Sequence, residues 1–167
     1  MIPVFLIGYM GSGKSTIGKE LSKMMGLSFF DLDVLIEEEI DMTIAELFHE
    51  KGEDFFRKKE HDILTNYNFN SCSIIATGGG APCFFDNQYF MNSIGYTIYL
   101  KISCHELTNR LKRDQKRPLL YNQKLNLKEF VSQQISERKK YYENSHSIIE
   151  SDNILISQVQ EIVNQIR

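Results

Sequence analysis

Eight residues near the start of the chain, Gly8-Tyr9-Met10-Gly11-Ser12-Gly13-Lys14-Ser15, restrict its folding more than any other stretch. They fit G-x-x-x-x-G-K-[ST], a phosphate-binding P-loop, which requires a strand before it and a helix behind it. Both flanks are present. Ile2-Pro3-Val4-Phe5-Leu6-Ile7 is an apolar run of the kind that forms a buried parallel strand, with Pro3 tolerated near its start. Ile17, Leu21, Met24 and Met25 recur at helical spacing up to Gly26, a C-terminal stop. Glycines let the backbone curl until its N–H groups and the helix N-terminus face a polyphosphate. Lys14 would then reach the β- and γ-phosphates, and the Ser15 hydroxyl would hold Mg²⁺.

The strand–loop–helix unit opens a longer alternation. Leu27-Ser28-Phe29-Phe30 reads as a second strand running into Asp31-Leu32-Asp33, followed by a helix on which Glu37-Glu38-Glu39 makes a solvated face. Thr43-Ile44-Ala45-Glu46 is a capping box, and Gly52 interrupts before a further helix through Phe56, Arg57, Glu60 and Leu64. Ser73–Ala76 and Tyr96–Leu100 read as strands three and four, then a helix with Leu107 and Leu111. A polar stretch broken by Pro118 leads to a helix from about 127 to 142, a strand near Ser147-Ile148-Ile149 and a closing helix. Strands alternating with helices predict an α/β three-layer sandwich with a central, five-stranded parallel sheet. At 167 residues, with no low-complexity linker, the chain fits a single domain, 1–167. A net charge of −3 argues against nucleic acid or an anionic membrane as partner, and no apolar run approaches a membrane span of ~20 residues. No signal peptide is evident, and Cys72, Cys83 and Cys104 lack paired spacing, so they are expected to be reduced, mostly buried thiols in the cytoplasm.

In such a sheet, ligands gather at the carboxyl ends of the strands, where Gly8–Ser15, Asp31–Asp33 and Gly78–Gly80 all fall. Residues two apart along an extended chain point the same way, so Asp31 and Asp33 could both face the phosphates. One would support Mg²⁺ and the other would take a hydrogen bond or proton from an acceptor hydroxyl; a helix N-cap suits either equally. Arg57 and Glu60 read on their own as a surface ion pair, or else as a carboxylate-binding arginine held by its neighbour. Three consecutive glycines serve either a ligand's close approach or a tight turn. Arg110, Lys112, Arg113, Lys116 and Arg117 form a charge run that is either a solvated face or a cationic lid over the phosphates. Arg138 alone carries no signal.

Taken together these residues resemble the shikimate kinase family over nearly the whole chain. The P-loop, Asp31-Leu32-Asp33, Phe56-Arg57-Lys58-Lys59-Glu60, Thr77-Gly78-Gly79-Gly80, Arg117-Pro118-Leu119-Leu120 and the Arg138-to-Tyr142 pair match six family motifs in order. The resemblance implies a P-loop kinase fold of nucleoside-monophosphate-kinase type and phosphorylation of the shikimate 3-hydroxyl by ATP, on the route to chorismate and the aromatic amino acids. It implies Lys14, Asp33 and Arg117 as catalytic residues. ATP would be held by Gly11, Ser12, Gly13, Lys14, Ser15, Thr16, Arg110, Arg117 and Asn153, and Mg²⁺ by Ser15 and Asp31. Shikimate would be held by Asp33, Arg57, Gly78, Gly79, Gly80 and Arg138, with substrate-binding helices over about 33–65 and a mobile lid over about 112–126. A monomer is expected, since nothing in the chain demands an oligomer. Two alternatives stay open at this point: another P-loop small-molecule kinase, and a catalytically silent nucleotide-binding module.

Overall fold

The structure is a computed structural model that describes residues 2–70, 72–113 and 127–166. The apolar run ahead of the P-loop is strand β1 (Val4–Ile7), buried at every position. Side chains alternate along it. Phe5 and Ile7 join a core on one face with Leu32, Ile36, Leu47, Leu64 and Ile75. Val4 and Leu6 join a second core on the other face with Ile17, Leu21, Ile98, Val159 and Val163. A strand buried on both sides must lie inside a sheet covered by helices twice over, and β1 is the middle strand of five.

The remaining strands are β2 (Ser28–Asp31), β3 (Ser73–Ala76), β4 (Tyr96–Lys101) and β5 (Ser147–Glu150). Their order is β2-β3-β1-β4-β5, with every neighbouring pair parallel. The connecting helices are α1 (Lys14–Met25), α2 (Leu32–Ile40), α3 (Ile44–Asn66), α4 (Asn87–Ile94), α5 (Cys104–Arg113), α6 (Leu127–Tyr142) and α7 (Ile156–Gln165). From β1 the chain runs out to the edge strand β2; from β3 it passes to β4 on the other side. Connections leaving neighbouring strands in opposite directions part at their carboxyl ends, and the crevice between them is where such sheets bind ligands. The expected three-layer architecture is therefore present, and no helix among the described residues is long and apolar enough to cross a membrane.

Several local expectations need correction. The stretch between Gly80 and Tyr96, unassigned from sequence, folds into a 3₁₀ turn (Ala81–Cys83) and α4. The inward face of α4 carries Asn87 and Gln88 beside Met91, so no apolar period marks it. Of the three glutamates on α2, Glu38 and Glu39 are exposed, but Glu37 is half-buried. Its carboxylate accepts from the Ile44 N–H at 2.8 Å, satisfying an amide of the first turn of α3 that has no partner within the helix. All three thiols are free, but Cys72 is exposed and the other two are half-buried. The capping box is formed as expected: Thr43 accepts from the Glu46 N–H at 3.2 Å and Glu46 accepts from the Thr43 N–H at 2.8 Å. Of the stretch expected to act as a lid, residues 114–126 lie outside the described residues.

Candidate active site

The P-loop connects β1 to α1 and bounds a cavity of about 330 Å³ lined by Gly11, Gly13, Lys14, Ser15, Thr16 and Arg110. Lys14 opens α1, and its ammonium donates to the carbonyls of Gly8 at 2.8 Å and Tyr9 at 3.0 Å. Ser12 is buried and lies 3.4 Å from that ammonium; it supports Lys14 instead of lining the cavity. The Ser15 hydroxyl donates to Asp31 at 2.5 Å. The other oxygen of Asp31 accepts from the Asp33 N–H at 3.1 Å, making Asp31 the N-cap of α2. Capping of α2 and contact with the P-loop serine therefore coexist on one carboxylate. The expectation that both aspartates point together fails, because the chain is extended only as far as Asp31. From Leu32 it is helical and turns about 100° per residue, so Asp33 is carried into the neighbouring cavity.

A hydroxyl and a carboxylate oxygen are hard donors of the kind Mg²⁺ takes, and together they fit an ion completed by phosphate oxygens and water. Among the described residues no group of three or more His, Cys, Asp or Glu side chains is placed to hold a metal.

Arg110 on α5 spans the rim of the P-loop cavity. It donates to Glu106 at 2.8 Å, to the Gly11 carbonyl at 3.1 Å and to the Asp152 carbonyl at 2.6 Å. The loop after β5 is thereby tied to the P-loop. Asp152 itself accepts from the N–H and hydroxyl of Ser103 at 2.8 and 2.9 Å, which hold its carboxyl below the usual range. Asn153 follows on this loop, where its N–H donates to Ser151 at 3.1 Å; it does not line the cavity.

A second cavity adjoins the P-loop at Met10. Its polar lining is Asp33, Arg57, Arg138 and the Gly78–Gly80 backbone; its apolar walls are Met10, Ile44, Phe48 and Phe56. The surface-pair reading of Arg57 is overturned by burial. Arg57 is 5% exposed and Glu60 is 0% exposed. Arg57 donates to Glu60 at 2.7 Å and, from two other N–H groups, to Glu53 at 3.2 and 3.0 Å. The rings of Phe56 and Phe84 lie 4.9 and 4.4 Å from the guanidinium carbon. Burial pushes the Glu60 carboxyl up to about 7, against the opposing pull of Arg57. The glycines follow from the same crowding: a Cβ at Gly78 would fall on the Glu60 carboxylate, and one at Gly80 on the Arg57 guanidinium. Close approach, not turn geometry alone, excludes side chains there.

Arg138 comes from α6, 9% exposed, and its guanidinium lies 5.4 Å from the Tyr9 ring centroid. It donates to Gln134 at 2.5 Å. Two nearly buried guanidinium groups opening into one small cavity make a site for an anion with planar, bidentate geometry. Sequence reasoning missed Met10, Ile44 and Glu53. The i,i+4 spacing of Glu53 to Arg57 was a usable signal; nothing local marks Met10 or Ile44 as pocket walls. Arg117, expected from the lid, lies outside the described residues.

A phosphate cradle and a cation-lined pocket for a small anion open side by side at the carboxyl edge of a parallel sheet, which defines a small-molecule kinase of the P-loop type. The shikimate kinase family profile matches residues 10–167. The chain is 42% identical over 164 residues to the shikimate kinase of Parabacteroides distasonis, covering 96% of this chain and 95% of that one. It is 44% identical over 167 residues to that of Flavobacterium psychrophilum, covering 97% of both. The structure of shikimate kinase from Acinetobacter baumannii in complex with shikimate superposes with a TM-score of 0.89 at 30% identity, over 99% of this chain and 92% of that one. This chain belongs to the shikimate kinase family.

Proposed function

We propose that this chain transfers the γ-phosphoryl group of ATP to the 3-hydroxyl of shikimate, giving shikimate 3-phosphate and ADP. The observation that carries the reading is the pairing of Arg57 and Arg138 in one cavity with Asp33, next to the P-loop. Shikimate has one carboxylate for the two arginines and hydroxyls for the aspartate, and the Acinetobacter baumannii relative of the same family carries that molecule.

In this reading Arg57 and Arg138 hold the acceptor carboxylate and the Gly78–Gly80 backbone closes the pocket around it. Asp33 orients the 3-hydroxyl and receives its proton as the new O–P bond forms and the bond from the γ-phosphorus to the bridging oxygen of ADP breaks. Phosphoryl transfer needs alignment and charge neutralisation more than covalent help. Lys14 leaves the carbonyls of Gly8 and Tyr9 for the phosphates, and the P-loop N–H groups at Gly11–Thr16 hold them. Arg110 and Asn153 flank the base of the nucleotide, and Arg117 of the R-P-L-L motif adds positive charge at the transferring group. Ser15 and Asp31 would hold Mg²⁺, which supplies charge neutralisation on the phosphate oxygens. The chain is taken to act as a monomer, and its three free thiols fit a cytoplasmic setting.

The test is ADP release from the purified protein with Mg-ATP, with and without shikimate, against quinate and gluconate. Turnover with shikimate alone is expected. Stimulation by gluconate and not shikimate, or by no acceptor in protein that binds ATP, would overturn the assignment.

A further inference from the structure

The last helix turn of α6 carries a side chain for which neither composition nor the P-loop chemistry provides a reason. Tyr142 is 0% exposed and does not line either cavity. Its hydroxyl donates to the Gly79 carbonyl at 2.5 Å, across 63 residues of sequence, while its ring packs against Tyr99 at a centroid distance of 5.0 Å. Burial raises its pKa far above the ordinary tyrosine value, so the hydroxyl keeps its proton and acts as donor.

The partner of that bond is informative. Gly79 is wedged against the P-loop: a Cβ there would lie 3.0 Å from the Met10 nitrogen and 3.5 Å from the Tyr9 carbonyl carbon. The Gly79–Gly80 peptide is trans, so its carbonyl and its N–H point in opposite directions. Fixing the carbonyl on the buried Tyr142 therefore fixes the direction of the Gly80 N–H as well, and Gly80 lines the acceptor cavity. Arg138 stands four residues earlier on α6, on the same face, and opens into that cavity. One helix thus presents a guanidinium to the pocket and, through Tyr142, whose hydroxyl also interacts with that guanidinium, sets a backbone amide beside it.

We infer that Tyr142 is the positioning residue of the acceptor-carboxylate site: its hydroxyl locks the Gly79–Gly80 peptide so that the Gly80 N–H and the Arg138 guanidinium converge on one carboxylate. Three glycines in a row have little conformational preference of their own, so the pocket floor needs a fixing bond from outside the loop. Tyr142 supplies it without touching substrate. The inference rests on the shikimate reading above and deepens it.

The experiment compares wild type, Tyr142→Phe and Tyr99→Phe. Tyr99→Phe alters a ring of the same packed pair but leaves the bond to Gly79 in place. KM is measured for shikimate and ATP, and an inhibition constant for the shikimate analogue whose carboxylate is reduced to a primary alcohol. Tyr142→Phe is expected to raise KM for shikimate about tenfold, the scale of one misplaced charge-assisted hydrogen bond. KM for ATP, kcat and the constant for the alcohol should stay within about twofold of wild type, and Tyr99→Phe should match wild type throughout. An equal loss for shikimate and the alcohol, an unchanged KM for shikimate, or the same effect from Tyr99→Phe overturns the inference. Wild type inactive on shikimate would instead sink the functional reading itself. Should Tyr142→Phe fail to fold, the Gly80 amide resonance of the native protein decides. It should shift with shikimate and much less with the alcohol, and no difference between the two overturns the proposal.

Discussion

Arg57 illustrates how one side chain's environment decides its role. Its guanidinium is held by Glu60 on one N–H and by Glu53 on two more, and is covered by Phe56 and Phe84. An arginine gripped this way keeps its orientation without substrate, which lowers the entropy lost when a carboxylate binds. Hydrogen bonds to charged groups contribute about 1.5–3 kcal/mol each, so Arg57→Ala should raise KM for shikimate by about 10- to 100-fold. KM for ATP should stay within about twofold, since the P-loop cavity is lined by other residues. Steady-state kinetics in both substrates checks this, and equal losses for the two would remove Arg57 from acceptor binding. Asp31 shows the same principle in reverse. Its two oxygens serve Ser15 and the Asp33 amide, so a residue that caps a helix also binds the P-loop serine.

Elements bring these residues together through specific breaks in regularity. Helix α3 runs from Ile44 to Asn66 but is kinked at Gly52, whose backbone sits at φ 80° and ψ 173°. The second segment restarts at Glu53, one helical turn before Arg57, so the kink and the Glu53–Arg57 pair belong to one local design. A Cβ at Gly52 would meet nothing within 4 Å, so the demand for glycine there is backbone strain alone. Gly52→Ala should destabilise the fold by about 1–3 kcal/mol, the cost of placing an L-residue in a region only glycine occupies readily. Thermal or urea unfolding measures it. An unchanged midpoint would show that the helix can run straight through and that the kink is not required. Helix α6 works differently: Arg138 and Tyr142 share a face by regular helical spacing, and the irregularity lies in the glycine loop they meet.

Across the whole molecule, a parallel sheet with its switch of direction beside β1 puts the P-loop, the Asp31 end of β2 and the glycine turn after β3 at one edge. Enclosing two arginines there leaves Glu60 fully buried, and the fold carries a pH signature in consequence. Its folded-state pKa is raised from 4.5 to about 7 by burial, so the folded chain holds a proton that the unfolded chain has released. The sign follows: stability contributed by the protonated group is complete below pH 4.5 and is lost as pH rises through about 7. Depressed carboxyls such as Asp152 act the other way, losing their contribution as pH falls. Comparison with Glu60→Gln isolates the buried group. From pH 4.5 to 7.5 the melting temperature of wild type should fall relative to that of Glu60→Gln, by on the order of 5 °C. Parallel profiles would mean that Glu60 stays ionised throughout.

Short-range regularities were enough to read most of the architecture. The P-loop flanks, the five strands, the capping box at Thr43 and the helix over Leu127–Tyr142 are local patterns of period 2 or 3.6, and a parallel α/β sandwich follows from their alternation. The motifs also named Asp33, Arg57, Arg138 and the three glycines, all of which line one cavity. Helix α4 escaped because its buried face is polar, and the splitting of Asp31 from Asp33 escaped because it depends on where the strand ends and the helix begins. What only the tertiary structure decided is burial and distant pairing. Glu60 at 0% exposure, the Arg110 bridge from Gly11 to Asp152 and the Tyr142 bond to Gly79 join residues 3 to 99 apart. The physical reason is that desolvation and long-range hydrogen bonds depend on what surrounds a group in space, which neighbouring residues along the chain do not encode.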